Sequence, residues 1–107
     1  MNIEELREYA LQKADVEESF PFGEETLVFK VKEKIFLLTG LNSNPVQFNA
    51  KCDPERAIRL REEYSSILPG YHMNKKHWNT VIIDGTLPVI LITELIEHSY
   101  QLVRGKK

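Results

Sequence analysis

Thr26-Leu27-Val28-Phe29-Lys30-Val31-Lys32-Glu33-Lys34-Ile35-Phe36-Leu37-Leu38-Thr39-Gly40-Leu41 is the stretch from which the rest of the chain can be ordered. From Thr26 the side chains alternate, with Leu27, Phe29 and Val31 on one side of an extended chain and Val28, Lys30 and Lys32 on the other. Lys32-Glu33-Lys34 is a short polar break, after which Ile35, Leu37, Thr39 and Leu41 resume the alternation. Two period-two runs joined so closely predict an antiparallel hairpin. Beyond the Asn42-Ser43-Asn44-Pro45 loop, Val46, Phe48, Ala50 and Cys52 alternate with Gln47, Asn49 and Lys51 as a third strand.

Helices flank this sheet unit. Asn2 followed by Glu5 matches a capping box, and Ile3, Leu6 and Ala10 then share one helical face. That helix is expected to end before Ser19-Phe20-Pro21-Phe22-Gly23, where Pro21 and Gly23 interrupt regular structure. Asp53-Pro54-Glu55 starts a second helix, with Ala57, Leu60 and Tyr64 on its apolar stripe and Arg56, Arg59 and Arg61 outward or flanking. Pro69 and Gly70 break the chain, and Trp78, Thr80 and Ile82 alternate with Asn79, Val81 and Ile83 as a fourth strand. Asp84-Gly85 turns it into a last helix, starting between Thr86 and Pro88 and burying Leu91, Ile92, Leu95, Ile96, Leu102 and Val103. The predicted order is α-β-β-β-α-β-α, with room for an extra short strand between Ile67 and Tyr71. This predicts an α+β, two-layer fold: a mainly antiparallel sheet with helices packed on one face and the other face partly open.

The 107 residues, 42% hydrophobic and 28% charged, suit one globular domain spanning 1–107 and exclude a disordered or collagen-like chain. The apolar stretch Leu87 to Leu95 is interrupted by Pro88, Thr93 and Glu94, so no membrane span is expected. The N-terminus is acidic and amphipathic, unlike a secretory signal, and the expected location is cytoplasmic. A single cysteine, Cys52, excludes an internal disulfide and a multi-cysteine zinc site. Net charge is −2, which opposes coating of nucleic acid by bulk electrostatics, but it divides into −6 over residues 1–25 and +4 over the remaining 82.

Pro69-Gly70-Tyr71-His72-Met73-Asn74-Lys75-Lys76-His77-Trp78-Asn79-Thr80 holds two lysines, two histidines and two large aromatics without an acid. Lys and His donate to phosphate oxygens, Asn reads base edges or backbone, and Tyr or Trp stacks on unpaired bases. The same residues fit a loop leading into a strand, with Trp78 plugging the core. Together with Phe20-Pro21-Phe22-Gly23, Phe29-Lys30-Val31, Lys51-Cys52-Asp53-Pro54-Glu55-Arg56-Ala57 and Ser99-Tyr100-Gln101-Leu102-Val103, the run Tyr71 to Trp78 resembles the MmcQ/YjbR family over nearly the whole chain. The resemblance implies a compact α+β domain similar to bacterial frataxin, and DNA binding by a "double wing" of sheet and helix elements. Glu33 departs from the family, many of whose members have Gly in that hairpin turn, and its charge counts against a phosphate-facing role for Lys32 to Lys34.

Three readings follow. A DNA-binding module would use His72, Asn74, Lys75, Lys76, His77, Lys30, Lys32 and Lys51, helped by Arg56 and Arg59, and would bind with salt-sensitive affinity. Arg56, Arg59 and Arg61 equally suit a solvated helix face paired with Glu55, Glu62 and Glu63. A protein-interaction or small-ligand module would receive an unidentified partner on the open sheet face bearing Trp78, although the alternation of Trp78 with Thr80 and Ile82 favours a core position. Weak binding of a hard cation by Glu4, Glu5, Glu8, Asp15, Glu17 and Glu18 is the third, against an ordinary soluble helix face. No catalytic residue, resident metal or cofactor is expected. Cys52 has no recognised spacing to His72, His77 or His98, and no phosphate loop, nucleophile elbow or dinucleotide fingerprint is present.

Overall fold

A computed structural model describes residues 1–70 and 73–105. Helix α1 (Ile3–Leu11) opens with the expected capping box: the Asn2 side chain accepts from Glu5 N–H at 2.8 Å, and the Glu5 carboxylate accepts from Asn2 N–H at 3.0 Å. Strands β1 (Val16–Ser19), β2 (Thr26–Val31), β3 (Lys34–Gly40) and β4 (Gln47–Lys51) follow, then α2 (Pro54–Glu63), β5 (Ile67–Pro69), β6 (Trp78–Ile82) and α3 (Val89–Arg104). The described order is therefore α-β-β-β-β-α-β-β-α. It corrects α-β-β-β-α-β-α by adding β1 and confirming the short strand after Ile67.

The six strands lie in the order β1-β2-β3-β4-β6-β5, each neighbouring pair antiparallel. The fold is α+β in two layers. One sheet face, carrying Leu27, Phe29, Val31, Leu37, Phe48, Ala50, Val81 and Ile67, is buried in one core with Leu6 and Ala10 of α1, Ala57 and Leu60 of α2, and Ile92, Leu95 and Ile96 of α3. Ion pairs tie this layer together, Lys13 in the α1–β1 connection to Glu97 of α3 and Arg56 of α2 to Glu94 of α3. Leu102, expected in the core, is 37% exposed; Ser99 and Tyr100 occupy the buried side of that turn.

The hairpin contains an irregularity that its alternation conceals. Phe29 faces Leu37, but Lys30 faces Ile35, so Phe36 is an extra residue in β3 and the ladder shifts there. Phe36 turns into the helix layer, where its ring meets Tyr100 edge-on at 5.3 Å, and Ile35 shares a register position with Lys30 on the open face. Ile35 thus does not continue the Leu37 and Thr39 face.

A bulge leaves a carbonyl outside the ladder, and a buried unpaired carbonyl is costly. The Ser99 hydroxyl donates to Phe36 O and accepts from Lys51 N–H at 2.8 Å, so one fully buried side chain on α3 completes the hydrogen bonding of both β3 and the end of β4. Tyr100 alongside donates its hydroxyl to Ala14 O at 2.6 Å, holding the α1–β1 connection. Replacing Ser99 by Ala would orphan a buried carbonyl and a partly buried N–H at once. We expect Ser99→Ala to lower stability by about 2–3 kcal/mol in urea denaturation.

Candidate binding site on the open sheet face

Strand periodicity places Thr26, Val28 and Lys30 of β2, Leu38 and Gly40 of β3, Gln47, Asn49 and Lys51 of β4, and Trp78, Thr80 and Ile82 of β6 on the face away from the helices. Trp78 is therefore not a core plug. Register puts Asn79 opposite Ala50 and Val81 opposite Phe48, so those two face the core, while half-buried Trp78 stands on the open face opposite Lys51.

A cavity of about 450 Å³ opens on this face. Its sheet side is built from Thr26, Leu38, Gly40, Gln47 and Asn49, with Ser43 from the β3–β4 loop. Its walls are two side chains from the runs singled out in the sequence: Phe22 of Phe20-Pro21-Phe22-Gly23, 64% exposed, and Met73 of the run Tyr71 to Trp78. Among the described residues lining the cavity none carries a formal charge. The polar groups are neutral hydroxyls and carboxamides. Asn49 Oδ1 accepts from the Thr80 hydroxyl, whereas the side chains of Thr26, Ser43 and Gln47 make no hydrogen bond among the described residues.

The segment leading into β6 is fixed by α2. Arg61 donates from Nε to Asn79 Oδ1 at 2.7 Å and from its terminal nitrogen to the Lys75 and Trp78 carbonyls. Asn74 Oδ1 accepts from Lys76 N–H at 2.9 Å, and His77 O accepts from Cys52 N–H at 2.8 Å. Gly70 lies so close beneath this segment that a Cβ there would meet Trp78 Cβ at 2.8 Å and Met73 Cβ at 3.2 Å. The turn chemistry thus uses the Asn74 oxygen, while Asn74, Lys75 and Lys76 remain exposed and His77 half-buried. His72 lies outside the described residues.

Lys51 faces Trp78 across the β4–β6 ladder, and Lys30 stands on the same open face of β2 with Glu17 opposite it on β1. Lys32 sits in the hairpin turn with Glu33, both at positive φ (52° and 65°), where Glu33 has no glycine-like freedom and adds a negative charge. Lys32 is thereby separated from the other lysines by the strand and by that acid. The arginines also depart from expectation: Arg56 pairs with Glu94 on α3 and Arg61 with the β6 segment, rather than with Glu55, Glu62 and Glu63. The acids of the first helix and loop do not assemble. Glu5 closes the capping box, Glu18 binds Arg7, and no group of three or more metal-ligating side chains forms among the described residues.

Burial pushes the Cys52 thiol up to about 11, which leaves it protonated at neutral pH and unsuited to act as a thiolate. His98 lies nearby, its Nε2 accepting from Asp53 N–H at 3.2 Å, which requires that nitrogen to be unprotonated. Desolvation, and then Arg56, lower its pKa from the ordinary 6.5, opposed by Glu94 and Asp53. Asp84 is drawn down to about 2 by the Thr86 hydroxyl first and the Ser66 hydroxyl second, a knot that joins the residue before β5 to the turn before α3.

A family model described as YjbR matches residues 11–102. The chain is 40% identical over 100 residues to the uncharacterized protein YbdF of Escherichia coli O157:H7, covering 94% of this chain and 82% of the relative. It is 36% identical over 101 residues to the uncharacterized protein YjbR of Escherichia coli K12, covering 94% and 86%. The crystal structure of the Deinococcus radiodurans protein DR2400 superposes with a TM-score of 0.94 at 44% identity, over 98% of this chain and 80% of that one. A Pseudomonas syringae protein superposes with a TM-score of 0.82 at 33% identity, over 97% and 100%.

His98 generates a pH prediction. Its pKa is lower in the folded than in the unfolded chain, so as pH falls the unfolded chain takes up the proton first. The contribution is full above about pH 6.5 and is lost as pH falls through the lower folded value. The urea midpoint should drop between pH of about 7 and about 5, and His98→Gln, which keeps an acceptor but cannot titrate, should flatten that part of the curve.

Proposed function

Because the chain belongs to the YjbR family, we propose that it is a non-enzymatic binding module receiving its ligand in the cavity of the open sheet face. The observation that carries this reading is the convergence of Phe22 and Met73, from runs about fifty residues apart in sequence, on one cavity. Its volume lies within the range typical of small-ligand sites, roughly 300–1,000 Å³. The lining supplies apolar walls and neutral hydrogen-bonding groups, a pattern suited to recognition. It offers no acid-base pair among the described residues, and Cys52 lies outside it.

The test is a titration of the isotopically labelled chain with a panel of neutral heterocycles and carboxamides, followed by amide chemical shifts. Saturable shifts should cluster at Thr26, Leu38, Gly40, Gln47 and Asn49, and Gly40→Ala should suppress them, since a Cβ there meets Ser43 Oγ at 2.9 Å. Shifts scattered over the helix face, or absent throughout the panel, would defeat the reading.

Duplex DNA binding is the second reading, favoured by the exposure of Asn74, Lys75 and Lys76 on a segment that Arg61 holds in place. Glu17 beside Lys30 and Glu33 beside Lys32 interrupt the basic surface that a duplex needs. If a duplex is the ligand, a labelled duplex will bind at low salt, weaken as salt rises, and lose most of its affinity in the folded Lys75→Ala/Lys76→Ala variant. Failure to bind at low salt removes it.

A further inference from the structure

The cavity specifies its occupant more narrowly than its size alone does. Gln47 presents both a donor and an acceptor, the Asn49 amide nitrogen adds donors while its oxygen is engaged by Thr80, and Thr26 and Ser43 add hydroxyls that serve in either sense. A site with donors and acceptors but no charge suits a flat, neutral group carrying both kinds of edge. An exposed phenyl wall and a thioether suit the face of such a ring. A nucleobase has these properties, whereas an aliphatic chain would leave the amides unpaired.

The surroundings add charge where a base would carry its backbone. Lys51 follows Asn49 by two residues on the same strand and face, roughly 6–7 Å along it. Lys75 and Lys76 follow Met73 and are exposed. Trp78 stands opposite Lys51 in the ladder, half-buried on the open face, one row further from the cavity. Beyond the neutral cavity, one same-face row along the sheet, a cation and an aromatic ring therefore stand side by side. We infer that the cavity holds one unstacked base of a single-stranded nucleic acid, with Lys51 and the Lys75–Lys76 pair on the phosphates and Trp78 stacking the neighbouring base. A base in a duplex is paired and stacked and cannot enter; one from a single strand or a free nucleotide can. This inference rests on the cavity being the binding site, as proposed above, and adds the class of ligand.

The experiment is fluorescence anisotropy of a short labelled DNA single strand of mixed sequence, its duplex, and unlabelled adenosine and cytidine monophosphates as competitors, across a range of salt. The single strand should bind more tightly than the duplex. The mononucleotides compete if the site serves free nucleotides and fail to compete if it needs a strand, and either result keeps the base in the cavity provided the variants behave as follows. Phe22→Ala and Asn49→Leu should each weaken binding about tenfold or more with the salt slope unchanged. Lys51→Ala should lower the log–log slope by about one. Quenching of Trp78, the single tryptophan, gives a second readout. Phe22 is exposed enough that its removal should leave thermal melting intact, which separates loss of site from loss of fold. Equal binding of duplex and strand, or full affinity in Phe22→Ala, would overturn the inference. So would absence of strand binding at low salt while neutral heterocycles still shift the cavity amides, and that result would leave the broader binding reading standing. Loss of both signals would remove both.

Discussion

The Ser99 hydroxyl is the point on which the two layers depend. β3 must accommodate an extra residue at Phe36, and its freed carbonyl lies in the core, out of reach of water. One buried hydroxyl on α3 answers it and also takes the Lys51 N–H where β4 runs out of partners. Such a bond contributes modestly when made, but leaving its partners unpaired in the core is expensive, so it fixes the rotation and height of α3 against the sheet. With α3 placed, Tyr100 reaches Ala14 and Phe36, Glu94 reaches Arg56, and Glu97 reaches Lys13. Each helix is thereby referred to the same bulge.

That bulge also marks where sequence pattern stopped being informative. Alternation located the hairpin, the third strand and the helix starts at Asn2 and Asp53 because each follows from a local rule: period two, a capping side chain, a proline at the first turn. Ile35-Phe36-Leu37-Leu38 is apolar at every position, so it is compatible with either phase, and only the partner strand reveals the added residue. Strand β1 escaped for the opposite reason. Val16-Glu17-Glu18-Ser19 is short and acidic, as suits an edge that must not recruit another chain, and edge protection erases the apolar alternation by which strands are found. The face of Trp78 is ambiguous in the sequence because apolar residues stand on both sides of β6: Val81 inward, Trp78 and Ile82 outward.

Among the described residues, none of those expected from the sequence to bind a ligand lines the cavity; the nearest legible signal is the run that contains Met73. Met73 belongs to the run singled out by its composition, whereas Phe22 belongs to a segment read as a Pro/Gly break and as part of the family resemblance; both border the cavity. Gln47, Asn49 and Thr26 appeared only as the polar side of ordinary strands, which is how a solvated face also reads; cross-strand register is what brings them together under those two side chains. The basic positions show the converse. Lys30, Lys32, Lys51, Lys75 and Lys76 looked like one set by charge, but the sheet divides them, placing Glu17 against Lys30 and Lys32 in a turn with Glu33.

The division of chemistry between cavity and rim has a physical basis in the two-layer architecture. The three helices among the described residues pack on one side, so the core is sealed there and the opposite face is free to carry uncharged polar groups that would be costly inside it. A neutral concave floor selects by hydrogen-bond pattern, because an unmatched donor or acceptor is penalised once water is excluded. Lysines placed outside it act through a field that reaches across solvent and fades with salt, adding affinity and encounter rate without selecting for shape. With a net charge of −2, the chain offers little bulk attraction to an anion, so under the proposed binding reading selection would rest on the neutral lining beside Phe22 and Met73.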